Sequence, residues 1–163
     1  MEDAKAFLPA GRVYVMDSGM AAIQGASMDF EARKKSNIVV LDVATSHTVG
    51  ATLAEGEIAG FFEYHTSDIT VERLDSLIVE LVEGTLDHKT ILREGGHGAY
   101  IRRKIGMESL EMIVATGPKR GLVAHSMLPI TYGAPLGDNM MTGTVGLLEA
   151  ARRREGMEPI TYL

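Results

Sequence analysis

The stretch Ile38-Val39-Val40-Leu41-Asp42-Val43 decides the fold, because a continuous apolar run of this length is typical of a strand buried on both faces. Residues 48–54 continue as a second strand. The pair Glu55-Gly56 predicts a tight turn, since glycine supplies the positive φ that a short hairpin needs. Residues 57–63 return as a third strand. The order strand, loop, strand, turn, strand predicts an antiparallel meander.

Beyond the meander the apolar period changes from two residues to 3.6. The apolar positions Leu74, Leu77, Ile78, Leu81 and Val82 share one face of a helix. Thr70 is suited to cap that helix at its start, and Gly84 to end it.

Weaker signals surround this helix. We predict a short helix over 87–93, a buried strand over 110–115, and a last helix capped by Asp138 and running to about residue 154. One short strand is expected between residues 119 and 137, at either 122–125 or 128–132. The apolar stripe of the last helix is expected to comprise Met140, Met141, Thr144, Val145, Leu147 and Leu148. Upstream of the meander, a strand over 12–16 is expected to lead into a helix of small residues over 20–28.

These elements predict an α/β protein with a ribonuclease H-like mixed sheet. Three antiparallel strands come first, and parallel strands are then added through right-handed crossovers, with helices flanking the sheet. We expect a single domain over residues 1–163, with a strand–helix lead-in at 1–30 and a core at 36–156.

Composition excludes several classes of function. The 163 residues include no cysteine, which excludes disulfides, thiolate zinc sites, iron–sulfur clusters and a cysteine nucleophile within this chain. The formal net charge of −6 argues against a phosphate-backbone binder, so no nucleic-acid partner is expected. Neither a secretory leader nor an apolar run of membrane-spanning length is visible, and we expect a cytoplasmic protein without a membrane partner.

The loop after the first strand is the strongest candidate site. A carboxylate at the end of a buried strand, such as Asp42, is costly unless it meets a metal, a cation or good donors. Asp42 could hold Mg²⁺ through water, and the hydroxyls of Ser46 and Thr48 could contact phosphate beside His47. Asp17 ends another predicted strand. The alternative is that Asp42 merely caps its own turn.

Two further loops are candidates for ligand binding. The segment Gly95-Gly96-His97-Gly98 lets the backbone approach closely either a ligand, which would involve Gly96, His97 and Gly98, or merely a neighbouring strand. The turn Thr116-Gly117-Pro118-Lys119 suits a planar ring or an anionic group, with an ordinary strand-end turn as the alternative.

Two other functions remain open. Asp42, His47 and His65 could form a divalent metal site in a metal-dependent hydrolase. Alternatively, the ten methionines and the helix over 20–28 suit a non-catalytic subunit that forms a homodimer.

The loops together resemble a mainly archaeal family, many of whose members are labelled as pyruvate formate-lyase activating enzyme. The matching segments are 15–23, 47–48, 60–66, 95–100, 115–120 and 134–141. That family is similar to the superfamily of sugar kinases, actin and heat-shock ATPases, which have two ribonuclease H-like lobes.

The resemblance implies that this chain corresponds to the C-terminal lobe. It also implies that residues 42–48 are the second phosphate-binding hairpin and that Thr116-Gly117-Pro118 is the turn on the adenosine side. ATP or ADP with Mg²⁺, or a phosphorylated metabolite, is therefore the expected ligand. Ala44 stands where relatives usually carry glycine in this hairpin, and this difference motivates the non-catalytic alternative. The resemblance implies that such a subunit would pair either with a second copy of the chain or with a separate N-terminal lobe.

Overall fold

A six-stranded mixed sheet organises the chain in the computed structural model, which describes residues 6–7, 9 and 11–160. The strands are β1 (Asn37–Val43), β2 (His47–Ala54), β3 (Glu57–His65), β4 (Gly98–Ile101), β5 (Met112–Thr116) and β6 (Ile130–Tyr132). The helices are α1 (Ser18–Ala26), α2 (Val71–Glu83), α3 (His88–Arg93) and α4 (Thr142–Arg154). Short 3₁₀ turns occupy several of the connections.

The strand order is β4-β3-β2-β1-β5-β6. β1 pairs antiparallel with β2 and parallel with β5, and β5 pairs parallel with β6. Within β3-β2-β1-β5-β6, therefore, only β2 runs against the others, which is the ribonuclease H-like arrangement. The predicted fold class is confirmed, and β4 extends the meander edge of the sheet by one strand that the sequence analysis missed.

The predicted meander forms as expected. β1 is buried from Ile38 to its end, because α1 covers one face of the sheet and α2 the other. The turn between β2 and β3 has φ of 56° at Glu55 and 78° at Gly56, as a type I′ hairpin requires. α2 begins after Thr70, whose side chain accepts a hydrogen bond from the Arg73 amide. It ends at Gly84, which is in the left-handed conformation.

α1 and α4 cross with their backbones in contact. A Cβ atom on Gly25 would lie 1.8 Å from the Thr142 carbonyl oxygen, and a Cβ on Gly146 would lie 1.8 Å from the Ala21 carbonyl oxygen. Only glycine fits at these two positions. The small residues of α1 therefore allow its backbone to approach that of α4 within the same chain.

This crossing confirms only Val145 of the predicted apolar stripe of the last helix, and the other predicted members are exposed. α4 turns Thr142, Val145, Gly146 and Glu149 inward, whereas Leu147 and Leu148 are 42% and 54% exposed. Contact between two backbones requires small residues at the crossing, and the bulky side chains on either side point away from it.

Two other predictions concern short segments. The strand expected over 12–16 is wrong: this segment pairs with no strand among residues 6–7, 9 and 11–160, and Val15 is 70% exposed. Its side chains instead reach the end of α4, where Arg12 and Tyr14 both hydrogen-bond to Glu155. Of the two positions offered for a strand between 119 and 137, the second is confirmed by β6, and 122–125 lies in a 3₁₀ turn. Among the described residues, no helix has the length and apolar character needed to cross a bilayer.

Candidate functional site

A cavity of about 390 Å³ opens at the carboxyl end of β1. Such edges of α/β sheets are where ligands commonly bind. Its walls come from the start of α1, the hairpin between β1 and β2, and the turn after β5. The lining residues are Asp17, Ser18, Gly19, Asp42, Ala44, Thr45, Ser46, His47, Val49, Glu63 and Pro118.

Asp42 is the most deeply buried acid of this cavity. Its side chain faces the cavity although the residue is only 9% exposed. Burial raises the pKa of its carboxyl group from 3.8 to about 6, because the charged form loses hydration. Within the described part of the chain, its carboxylate accepts no hydrogen bond and forms no ion pair. Asp42 therefore does not cap its own turn, and its oxygens remain available to a ligand.

The β1–β2 hairpin presents two hydroxyls beside Asp42. Thr45 and Ser46 are exposed and line the cavity, and neither hydroxyl has a partner among the described residues. Thr48 corrects a prediction: it is fully buried and hydrogen-bonds to the Thr66 hydroxyl at 3.0 Å, so it does not line the cavity. Thr66, in turn, donates to the Ala44 carbonyl at 2.8 Å. Sequence reasoning missed Thr66, which holds the hairpin in place.

The turn after β5 packs directly against Asp42. Gly117 has φ of 93°, and a Cβ there would lie 2.5 Å from the Val43 carbonyl oxygen and 2.7 Å from Asp42 Oδ1. The Lys119 amide donates to the same Val43 carbonyl at 2.9 Å. The expectation that the acid and the Gly-Pro turn share one edge of the sheet is thus confirmed. Pro118 lines the cavity, and the side chain of Lys119 does not.

Thr116 lies outside the cavity. It is fully buried, and its hydroxyl hydrogen-bonds to Thr142 at 3.0 Å, which ties β5 to the start of α4. This corrects the expectation that Thr116 contacts a ligand, because its hydroxyl is already bound within the protein.

The charges around the cavity are negative. Asp17 caps α1 by accepting a hydrogen bond from the Met20 amide at 2.9 Å, and it lines the cavity together with Asp42 and Glu63. No lysine or arginine is among the described lining residues. This arrangement favours a cation, and it favours a phosphate only when a cation accompanies it.

The glycine loop before β4 also corrects a prediction. Gly96 and Gly98 do not line the cavity. A Cβ on Gly96 would lie 2.7 Å from the Ile91 side chain, and one on Gly98 would lie 2.6 Å from the His88 ring. These glycines allow the loop to pack against its own chain, which was the alternative interpretation.

The same loop places His97 against His47 and His65. The three side chains have one ring nitrogen each within 4.8 Å of the others. Of the predicted group of Asp42, His47 and His65, the structure brings the two histidines together, and the third member of the cluster is His97 instead of Asp42.

The chain was compared with known proteins. The model of the family described as "Putative pyruvate format-lyase activating enzyme (DUF1786)" matches residues 1–122. No curated protein matches.

Among solved structures, the "Alp12 filament structure" is similar at 12% identity and a TM-score of 0.42, with 85% of this chain and 53% of that chain covered. The "apo psk41 parM protein" is similar at 13% identity and the same TM-score, with 84% and 48% covered. The chain spans about half the length of these two structures.

Proposed function

Since this chain belongs to the DUF1786 family, labelled as pyruvate formate-lyase activating enzyme, we propose that it is a lobe that binds a nucleotide or phosphorylated metabolite. The ligand's phosphate would enter the cavity beside Asp42 together with Mg²⁺. The observation that carries this proposal is the buried Asp42 carboxylate, which has no partner within the described residues. A desolvated carboxylate that faces a cavity is stabilised when a cation reaches it.

The residues present fit magnesium. Mg²⁺ prefers oxygen ligands, keeps several waters, and is usually held by one or two carboxylates together with substrate phosphates. Asp42 supplies the carboxylate, and Asp17 supplies a second acid across the cavity. When bound, the ion would neutralise phosphate charge that the three acids of the cavity otherwise repel.

The hairpin and the turn after β5 would position the ligand. The Thr45 and Ser46 hydroxyls have no partner in the part of the chain that the structure describes, and they can donate to phosphate oxygens. Pro118 offers a rigid apolar surface in the lining of the same cavity, which suits the sugar or base. In this proposal Gly117 acts indirectly, because its lack of a side chain lets the turn close against Asp42.

The test is calorimetric titration of the chain with ADP and ATP, each with and without Mg²⁺. We expect binding only when Mg²⁺ is present, and we expect Asp42→Asn to abolish it. Asp68→Asn is the matched control, because Asp68 is exposed and lies outside the cavity. Equal binding by the two variants, or equal binding without Mg²⁺, would contradict the proposal.

A second candidate is a non-catalytic subunit that forms a homodimer. The observation that favours it is the outward face of α4, where Leu147 and Leu148 are 42% and 54% exposed. Size-exclusion chromatography with light scattering tests this candidate. We expect twice the chain mass of 17.6 kDa for the wild type and the single chain mass for Leu148→Ser. Val79→Ser on α2, where the residue is 37% exposed, is the control. A wild-type monomer would rule the candidate out.

A further inference from the structure

Three histidines converge at the edge of the sheet beside the cavity. His47 is the first residue of β2, His65 is the last residue of β3, and His97 immediately precedes β4. The register places His47 directly opposite His65. The loop reaches them because the His97 amide donates to the Glu63 carbonyl at 2.9 Å. Backbone pairing of three neighbouring strands therefore brings the three imidazoles together.

The imidazoles are close enough to share a ligand. His97 Nε2 lies 3.1 Å from His65 Nε2. The ring centroids are 4.5 to 4.9 Å apart in all three pairs. Two nitrogens bound to one tetrahedral zinc ion lie roughly 3.3 Å apart, given Zn–N bonds of about 2.0–2.1 Å. The His65–His97 pair is already at this spacing, and one ring nitrogen of each of the three histidines lies within 4.8 Å of the others.

We propose that His47, His65 and His97 bind a zinc ion, with the fourth coordination position open to water or an anion. Imidazole nitrogen is a preferred ligand of zinc and of other late first-row metals, whereas Mg²⁺ and Ca²⁺ prefer oxygen. Three histidines with an open position are a known form of zinc site. Glu63, two residues before His65 on the same face of β3, places a negative charge nearby.

This zinc site adjoins the magnesium site proposed at Asp42, because His47 lines the same cavity, but the two sites use different ligand residues. Asp42 is outside the histidine cluster, and the two sites differ in donor chemistry, oxygen in one and nitrogen in the other. The zinc proposal does not depend on nucleotide binding. Zinc binding is measured in the absence of nucleotide and Mg²⁺, and nucleotide binding in the absence of zinc, which allows either proposal to fail alone.

Bound zinc would also connect β2, β3 and the start of β4 through its three ligands. β4 is the edge strand and pairs with β3 over four residues. A metal held by residues at β2, β3 and the start of β4 would fix this edge. The melting temperature should therefore rise with zinc concentration in the wild type.

The test is a calorimetric titration of metal-stripped protein with ZnCl₂. We expect one zinc ion per chain. His97→Gln should weaken binding by at least about 100-fold, because even loss of an outer-shell partner typically costs 10–100-fold. His125→Gln is the matched control, since His125 is an exposed histidine outside the cluster, and it should bind as the wild type does. His65→Asn provides a second variant within the cluster.

Cobalt supplies a readout of geometry. Co²⁺ in the wild type should give the strong visible bands of a tetrahedral site, and these should disappear in His97→Gln with an unchanged far-ultraviolet circular dichroism spectrum. The proposal is overturned if the wild type binds no zinc, if His97→Gln and His65→Asn bind it as tightly as the wild type, or if His125→Gln weakens binding as much as they do.

Discussion

Replacement of Asp42 by asparagine should stabilise the protein while it removes ligand binding. Burial raises the pKa of the Asp42 carboxyl group from 3.8 to about 6, so the folded state holds this proton more tightly than the unfolded state does. The charged form therefore destabilises the fold, and the free energy of unfolding falls as the pH rises from below 3.8 to above 6. This difference in pKa between the unfolded and folded states lowers the free energy of unfolding by at most about 3 kcal/mol at pH 8 and by about 0.6 kcal/mol at pH 4.

Urea denaturation at pH 4 and pH 8 measures this effect. Asp42→Asn removes the charge with little change in shape. Its free energy of unfolding should therefore exceed that of the wild type by a large amount at pH 8 and by a small amount at pH 4. A gain of about 3 kcal/mol would raise the melting temperature by roughly 6–12 °C in a domain of this size. Asp68→Asn, on the surface, should show no such dependence. The reasoning is refuted if Asp42→Asn is no more stable than the wild type at pH 8, or if its gain is the same at both pH values.

Three further substitutions test how the site is held, each by the free energy of unfolding in urea. Gly146→Ala forces a methyl group into the backbone of α1 and should cost about 3 kcal/mol, whereas Gly143→Ala, in open space on the same helix, should stabilise by up to about 1 kcal/mol. Equal effects would contradict the backbone contact. Gly117→Ala should cost at least about 2 kcal/mol because of its positive φ and crowded position, whereas Gly121→Ala should change stability by less than about 0.5 kcal/mol. Thr66→Val removes two hydrogen bonds and should cost about 1–2 kcal/mol; no loss would show that they do not hold the hairpin.

The central sheet could be predicted from sequence because its signals are local. A continuous apolar run identified β1, and a glycine in a two-residue turn fixed the hairpin between β2 and β3. β4 was missed because only four residues form it, and their pairing depends on a loop that packs by long-range contacts. The inward face of α4 was missed for a similar reason. Glu149 points inward and is fully buried because Arg153 and the Ile160 amide satisfy its carboxylate, which apolar periodicity does not reveal.

The candidate site, too, could be predicted from sequence only where its signals are local. That Asp42 and Gly117 lie together follows from the parallel pairing of β1 with β5, which the predicted topology already implied. Which hydroxyls are free could not be predicted. Thr48 and Thr116 lie on strands, and whether such a hydroxyl faces a cavity or binds another threonine depends on residues far away in sequence. The histidine cluster likewise needed the position of His97, which no spacing in the sequence encodes.

The contact between the backbones of α1 and α4 has a consequence for the order of folding. This contact joins segments more than a hundred positions apart in the sequence. Because closing so long a loop costs entropy, we expect the contact to form later than the pairing of the neighbouring strands of the meander. Ser18 and Gly19, at the start of α1, form one wall of the cavity. We therefore expect the binding pocket to be completed late in folding, so that a partly folded chain has a sheet but nowhere to hold a ligand.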